Sequence, residues 1–395
     1  MTSTERKFTS VEICAGAGGQ AVGLHDALFR HLVLIEVDAN ACATLRANVE
    51  GNTEWGGCEV VEADLTKLDL DELKATLRAH LGLSGDEEVA GKLDLLAGGV
   101  PCPPFSHAGK QLGQDDERDL FPTMLKMIDA LRPNAVMIEN VRGLLDQKFE
   151  IYREQILRDL EKMGYRKCFW KVLEAKNYGV PQLRPRAILV AMTEKFAKHF
   201  TWLDPEEGPV KTVAEALEVS MQARFDAVND PRADAAFKRW YADASKDVAP
   251  TVVGGSKKHG GADLGPTRAK KAWRDLGVCG LGVANDPEEM KDKERDLFAS
   301  AGPKLTVRQA AIIQGFPETW KFVGKKTAAY RQVGNAFPPP VAQAVGERII
   351  AALEAGTNAV AGGRGDASLT VPGPSAPARA ELGDRRGDLE GAGVR

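Results

Sequence analysis

Apolar residues in the first half of the chain fall into short runs, separated by stretches that repeat at helical spacing. The runs at 9–13, 31–37, 93–98, 134–139, 169–174 and 186–192 read as strands. Between the first two, "GGQAVGLHDALFR" sets Val22, Leu24 and Leu28 near one face of a predicted helix. Between the fourth and fifth, Tyr152, Ile156, Leu160 and Met163 recur at helical spacing, and Gly164 predicts the helix stop. Near-continuous apolar strands alternating with helices predict an α/β fold with a parallel, doubly wound sheet covered on both faces.

The alternation stops near residue 200. Residues 205–300 are rich in Asp, Lys, Gly and Ala, with weak periodicity. Strong patterning returns at 304–320 and again at 341–354, where Val341, Val345, Ile349 and Leu353 form an apolar stripe. The final forty residues hold nine Gly, three Pro and no aromatic, too little apolar surface to offset ordering entropy, so a disordered tail is expected from 356 to 395.

Composition narrows the setting. At 43% hydrophobic and 27% charged, the 395 residues are ordinary for a soluble globular chain. With no run of 18 apolar residues and no apolar core in "MTSTERKFTS", neither membrane insertion nor secretion is expected. Six scattered cysteines without a CxxC pair fit a reducing cytoplasm and argue against a structural metal site. The net charge of −4 requires any nucleic-acid surface to be local. One candidate is 246–275, where seven Lys/Arg stand against three Asp.

Chemistry enters at "ICAGAGGQA", residues 13–21. Gly16, Gly18 and Ala21, with Glu36 twenty residues past Gly16, fit the dinucleotide fingerprint. Alone this says only that the backbone turns sharply and approaches something at a helix start; a nicotinamide site, another nucleotide site and a bare turn all remain open. Strand 93–98 then ends in "GGVPCPPFSHAGK", which sets Cys102 between prolines just past a strand end, where open α/β sheets hold ligands. Strand 134–139 runs into "ENV", bringing Glu139 to a neighbouring strand end. In "YGVPQLRPRAIL", Gln182, Arg184 and Arg186 alternate, and period two assigns them to one face. A thiol, a carboxyl group and two guanidinium groups could take a polar heteroaromatic ring.

At this point the chain resembles the DNA cytosine-5 methyltransferases of bacterial restriction-modification systems, across residues 8–355. The family's blocks stand in order: "EICAGAGGQAVGL", "VLIEVD", "EADLT", "GGVPCPPFS", "ENV", "QLRPR", "LTVRQAAIIQGFP" and "RQVGNAFPPPVA". Val100 and Pro103 depart from the usual proline and glutamine, and Cys14 from the usual phenylalanine; none removes a reacting group. The resemblance implies a Rossmann-like, largely parallel S-adenosylmethionine-dependent methyltransferase fold with a smaller target-recognition domain. It divides the chain into a catalytic and cofactor-binding part (1–204), a target-recognition domain (205–303) and a return segment (304–355).

By the same resemblance Cys102 is the nucleophile, Glu139 the acid toward the ring, and Arg184 and Arg186 hold the base edge and support the Cys102 loop. Ala15, Gly16, Gly18, Gly19, Glu36, Asp64, Pro101 and Asn335 are the expected S-adenosylmethionine contacts, with Glu36 on the ribose and Asp64 on the adenine amino group. Ser106, Lys257, Lys258 and Arg268 are the candidate DNA contacts, and Gly109 and Gly113 the hinges of a closing lid. The expected partner is double-stranded DNA, bound by a monomer, with a cognate restriction endonuclease acting separately. The tRNA-modifying branch carries a Cys-Phe-Thr signature that this sequence lacks. Amino methyltransferases place an acid or amide before Pro-Pro-aromatic, which is absent here too.

Overall fold

The computed structural model describes residues 8–85, 87–101, 119–205, 209–254 and 262–362. Its first elements are β1 (Phe8–Ile13), α1 (Gly19–Asp26), β2 (Phe29–Glu36), α2 (Ala39–Val49), β3 (Glu59–Glu62), α3 (Leu70–Leu81), β4 (Leu95–Gly98), α4 (Phe121–Leu131), β5 (Ala135–Val141) and α5 (Glu150–Lys162). A hairpin of β6 (Tyr165–Glu174) and β7 (Pro185–Thr193) follows. The seven strands form one sheet in the order β3-β2-β1-β4-β5-β7-β6. The first five are parallel, and β7 runs antiparallel to both of its neighbours.

Period-two alternation divides the apolar strands between two cores. Leu96 of β4 and Val136 of β5 pack with Leu77 of α3, Ile128 of α4 and Ile156 of α5. Leu95, Ala97 and Met137 face the other way, toward Leu24 of α1. The stripe Val341, Val345, Ile349 and Leu353 lies buried in that second core, on the helix α13 (Pro339–Gly362). Strand order reverses between β1 and β4, the switch point at which sheets of this kind bind ligands beyond their carboxyl ends.

Between β7 and α13 come α6 (Glu194–Ala197), α7 (Val213–Asp226), α8 (Ala233–Ala244), α9 (Thr267–Asp275), α10 (Lys293–Asp296), α11 (Val307–Ile313) and α12 (Lys326–Asn335). Leu217, Phe225, Trp240 and Trp273 share a core with Leu305, Ile313 and Tyr330. Thr212 and Glu215 close a capping box on α7, as Thr306 and Gln309 do on α11.

Three expectations are corrected. Leu28 is no part of the α1 face: α1 ends at Asp26 because the chain turns at once into β2, leaving Leu28 left-handed (φ 76°) and 41% exposed. Strand β3 had no counterpart among the expected strands. The last helix runs to Gly362, beyond the boundary expected at 355: the strong formers "AALEA" at 351–355 carry it to that boundary, and no proline breaks it before Gly362. The rest of the expected tail, 363–395, lies outside the described residues. Among the described residues no helix is long and apolar enough to cross a membrane.

Candidate active site

The carboxyl ends of β1, β2, β4 and β5 surround a cavity of about 440 Å³. Its wall begins with the turn after β1. Gly16 (φ 55°) and Gly18 (φ 89°) hold left-handed conformations that L side chains rarely adopt. A Cβ added at Gly16 would meet nothing within 4 Å, so the backbone there lies open to the cavity. At Gly18 a Cβ would stand 2.6 Å from the Trp320 ring, whose Nε1 donates to Ala17 O at 3.0 Å. Ala15, Gly16 and Gly19 line the cavity; Gly18 shapes the turn from behind.

Glu36 ends β2 with its carboxylate already oriented. Oε2 accepts the Gly16 N–H at 2.8 Å, and Oε1 accepts those of Val37 (2.9 Å) and Asp38 (2.8 Å). Oε1 thus has both lone pairs engaged, and Oε2 keeps one free to accept a hydroxyl from the cavity. Asp64 caps the turn after β3 through the Thr66 N–H and hydroxyl, bonds that hold its carboxyl below the usual range. Pro101 and Asn335 complete the rim.

Glu139 lines the cavity from β5, its Oε1 2.8 Å from Arg186 Nε. Burial raises its pKa above the usual carboxyl value, and the Arg186 and Arg184 charges oppose that only in part. The neighbouring Asn140 donates Nδ2 to Val100 O at 2.9 Å, fixing the end of the segment that leads to Cys102. Cys102 itself, with Ser106, Gly109, Gly113, Lys257 and Lys258, lies outside the described residues. Burial pushes the thiols of Cys14, Cys42 and Cys58 up to about 12 and that of Cys168 to about 11, which removes these four as nucleophiles near neutrality.

The structure corrects one expected role. Arg184 is 1% exposed and does not line the cavity; its Nη atoms donate to the carbonyls of Val252, Gly334 and Ala336 at 2.7–2.8 Å. Gln182 and Arg184 precede β7, so strand alternation does not govern where they point. Arg186 alone of the three meets Glu139. Arg268 is exposed on the basic helix α9, and its neighbour Lys270 pairs with Asp263 at 2.7 Å.

Sequence reasoning missed Glu12 and Gln20. Both line the cavity and are nearly fully buried. Glu12 Oε2 and both polar atoms of the Gln20 amide have no hydrogen-bond partner among the described residues. Burial, reinforced by Glu36, holds the Glu12 carboxyl well above the usual range. The signal was available: a glutamate inside an otherwise buried strand, four residues before a glycine turn, is costly without a ligand.

Comparison with known proteins follows the geometry. The family profile described as C-5 cytosine-specific DNA methylase matches residues 8–351. The Type II methyltransferase M.NaeI of Lentzea aerocolonigenes is 50% identical over 345 residues, covering 87% of this chain and 75% of the relative. M.NgoMIV of Neisseria gonorrhoeae is 45% identical over 353 residues, covering 88% and 99%. Among solved structures, the Entamoeba histolytica methyltransferase EhMeth superposes with a TM-score of 0.57 at 14% identity, covering 88% of this chain and 99% of that one. The S. pombe Dnmt2 methyltransferase gives 0.53 at 17% identity, with coverages of 88% and 99%. The two structures share the fold.

Proposed function

Because the chain belongs to the C-5 cytosine-specific DNA methylases, we propose that it transfers a methyl group from S-adenosylmethionine to C5 of a cytosine flipped out of a specific duplex site. The observation that carries the cofactor assignment is an oriented Glu36 on the same cavity as the buried Glu12 beside Gln20, where Glu12 Oε2 and the Gln20 amide have no well-formed hydrogen bond. A ribose hydroxyl fits the first, and an ammonium fits the buried carboxyl of the second. The adenine amino group falls to Asp64, and Asn335 closes the methionine end. When bound, the cofactor supplies an electrophilic methyl group on a sulfonium.

The residues of the chain supply the rest. Cytosine C5 is a poor nucleophile until a thiolate adds to C6 and turns it into an enamine carbon. Cys102 is the thiol, consistent with the raised values at four of the five described cysteines. Glu139, whose pKa burial raises above the usual carboxyl value, gives a proton to N3 as the thiolate adds. Arg186 keeps the Glu139 carboxyl in place and faces the ring edge. After methylation a base takes the C5 proton, the C6–S bond breaks with sulfur leaving as the thiolate, and N3 returns its proton to Glu139, which restores the aromatic ring. C6 is shielded in a stacked duplex, so the base must flip, at about a few kcal/mol of unstacking.

Residues 205–303 act as the target-recognition part, with Arg268, Lys257, Lys258 and Ser106 toward DNA. The protein works as a monomer, separately from any endonuclease. The test is transfer of labelled methyl from S-adenosylmethionine to duplex DNA, with RNA in parallel. Label on RNA alone, or on neither, would overturn the reading, and sequencing of 5-methylcytosine in an expressing host would identify the site.

A further inference from the structure

Arg184 is a buried cation with no carboxylate in ion-pair contact among the described residues, an arrangement that is costly unless it does something. Its three acceptors lie on two separate segments. Val252 O belongs to the segment after α8, whereas Gly334 O and Ala336 O flank Asn335 on the cavity rim. Two glutamines repeat the tie. Gln182 Oε1 accepts the Val252 N–H at 2.8 Å, and its Nε2 reaches Gln314 Oε1 at 2.5 Å. Gln314 Nε2 in turn donates to Val333 O and Ala336 O, both at 2.9 Å.

The clamped segments touch where it matters. A Cβ added at Gly254 would lie 2.2 Å from Asn335 Oδ1, and one at Gly334 would lie 2.3 Å from Gly254 N. On the far side, a Cβ at Gly265 would stand 3.2 Å from Val253 Cγ2 and 3.3 Å from Ala269 Cβ, at the start of the basic helix α9. Contact therefore runs without a break from the cavity rim through Gly254 and Val253 to the helix that carries Arg268.

We infer that Arg184 is a positioning residue, which with Gln182 and Gln314 locks the Gly254–Asn335 contact and so makes cofactor affinity and DNA affinity depend on each other. The inference rests on the cofactor and DNA reading above. A cofactor that orders Asn335 fixes Gly254 and, through Val253, the seat of α9; DNA that orders α9 does the reverse. Linkage makes the two effects equal. Lysine at 184 would keep the charge but lose the planar fork whose two Nη atoms divide between the segments.

The experiment measures dissociation constants for S-adenosylhomocysteine with and without a duplex carrying the site found by sequencing, and for that duplex with and without S-adenosylhomocysteine. In the wild type each ligand should tighten the other by about tenfold or more. In Arg184→Lys, and independently in Gly254→Ala, the factor should fall to about two or less, with the rise in KM exceeding the fall in kcat. Gly254→Ala attacks the contact from its other side and decides the matter if Arg184→Lys fails to fold. Independent binding of both ligands to the wild type, or a wild-type factor in the variants, overturns the inference. A wild-type protein that binds neither ligand overturns the cofactor and DNA reading instead.

Discussion

Arg186 Nε sits 2.8 Å from Glu139 Oε1, yet the Glu139 carboxyl remains above its usual range because burial outweighs the neighbouring charge. An acid that is held in place and whose burial favours the protonated form is suited to deliver a proton to the ring. Glu139→Gln keeps the shape and loses the proton. Single-turnover rates should fall about 10²-fold or more, the scale of lost general acid catalysis. An unchanged rate with weaker DNA binding would make Glu139 an anchor for the base.

Cys102→Ser should abolish methyl transfer while DNA and cofactor still bind, since the thiol is needed for bond formation and not for docking. DNA containing 5-fluorocytosine traps the addition step, because fluorine cannot leave as a proton does. Wild-type protein should stay attached to such DNA under denaturing electrophoresis, and the serine variant should run free.

Glu12 sets stability against function. Its pKa is raised by folding, so its contribution to stability is complete below the ordinary glutamate pKa and is lost as pH rises through the raised value. Glu12→Gln removes that loss. The variant should melt higher than wild type by about 2 °C or more at alkaline pH, with the gap closing toward acid. Calorimetry should show weaker S-adenosylmethionine binding in the same variant. Equal melting at every pH would mean the carboxyl is not strained.

The four buried residues of the α13 stripe, at roughly 1.5–3 kcal/mol each, contribute an amount comparable to the whole stability of a typical domain. A chain ending before Val341 should therefore fail to fold. One ending at Gly362 should melt and methylate like the full chain, and a drop in its melting temperature would assign structure to 363–395.

Arg268 is exposed near the start of α9, where a single side chain can reach a groove. If it is bidentate to guanine, Arg268→Ala should cost about 1–3 kcal/mol at one base pair and broaden the methylated set, read by bisulfite sequencing of a random-site library. A wild-type preference with a salt slope reduced by roughly one would make it a phosphate contact.

Six strands, the α13 stripe and the Gly16–Glu36 pairing were legible because each depends on periodicity or on a backbone conformation the residue types announce. Strand β3 was not: "EVVE" offers two apolar residues between glutamates, and only pairing with β2 makes it a strand. Glu12 carried a signal, an acid within an apolar strand before a glycine turn, but that it lines the cavity is a tertiary fact. Arg184 was misread because alternation was extended into residues that precede β7, where hydrogen bonds to distant carbonyls decide direction.

Glu12, Glu36, Asp64 and Glu139 all border the one cavity. In the reading proposed above, the cofactor arrives with a sulfonium charge and leaves as a thioether without one. Glu12 and Glu139 are held toward the neutral acid by burial. The carboxylates of Glu36 and Asp64 are therefore the ones that attract the first form more than the second, and the charge lost in the reaction also loosens the spent cofactor. Product inhibition should accordingly be weak, and the ratio of the two dissociation constants should shift toward the thioether in Asp64→Asn.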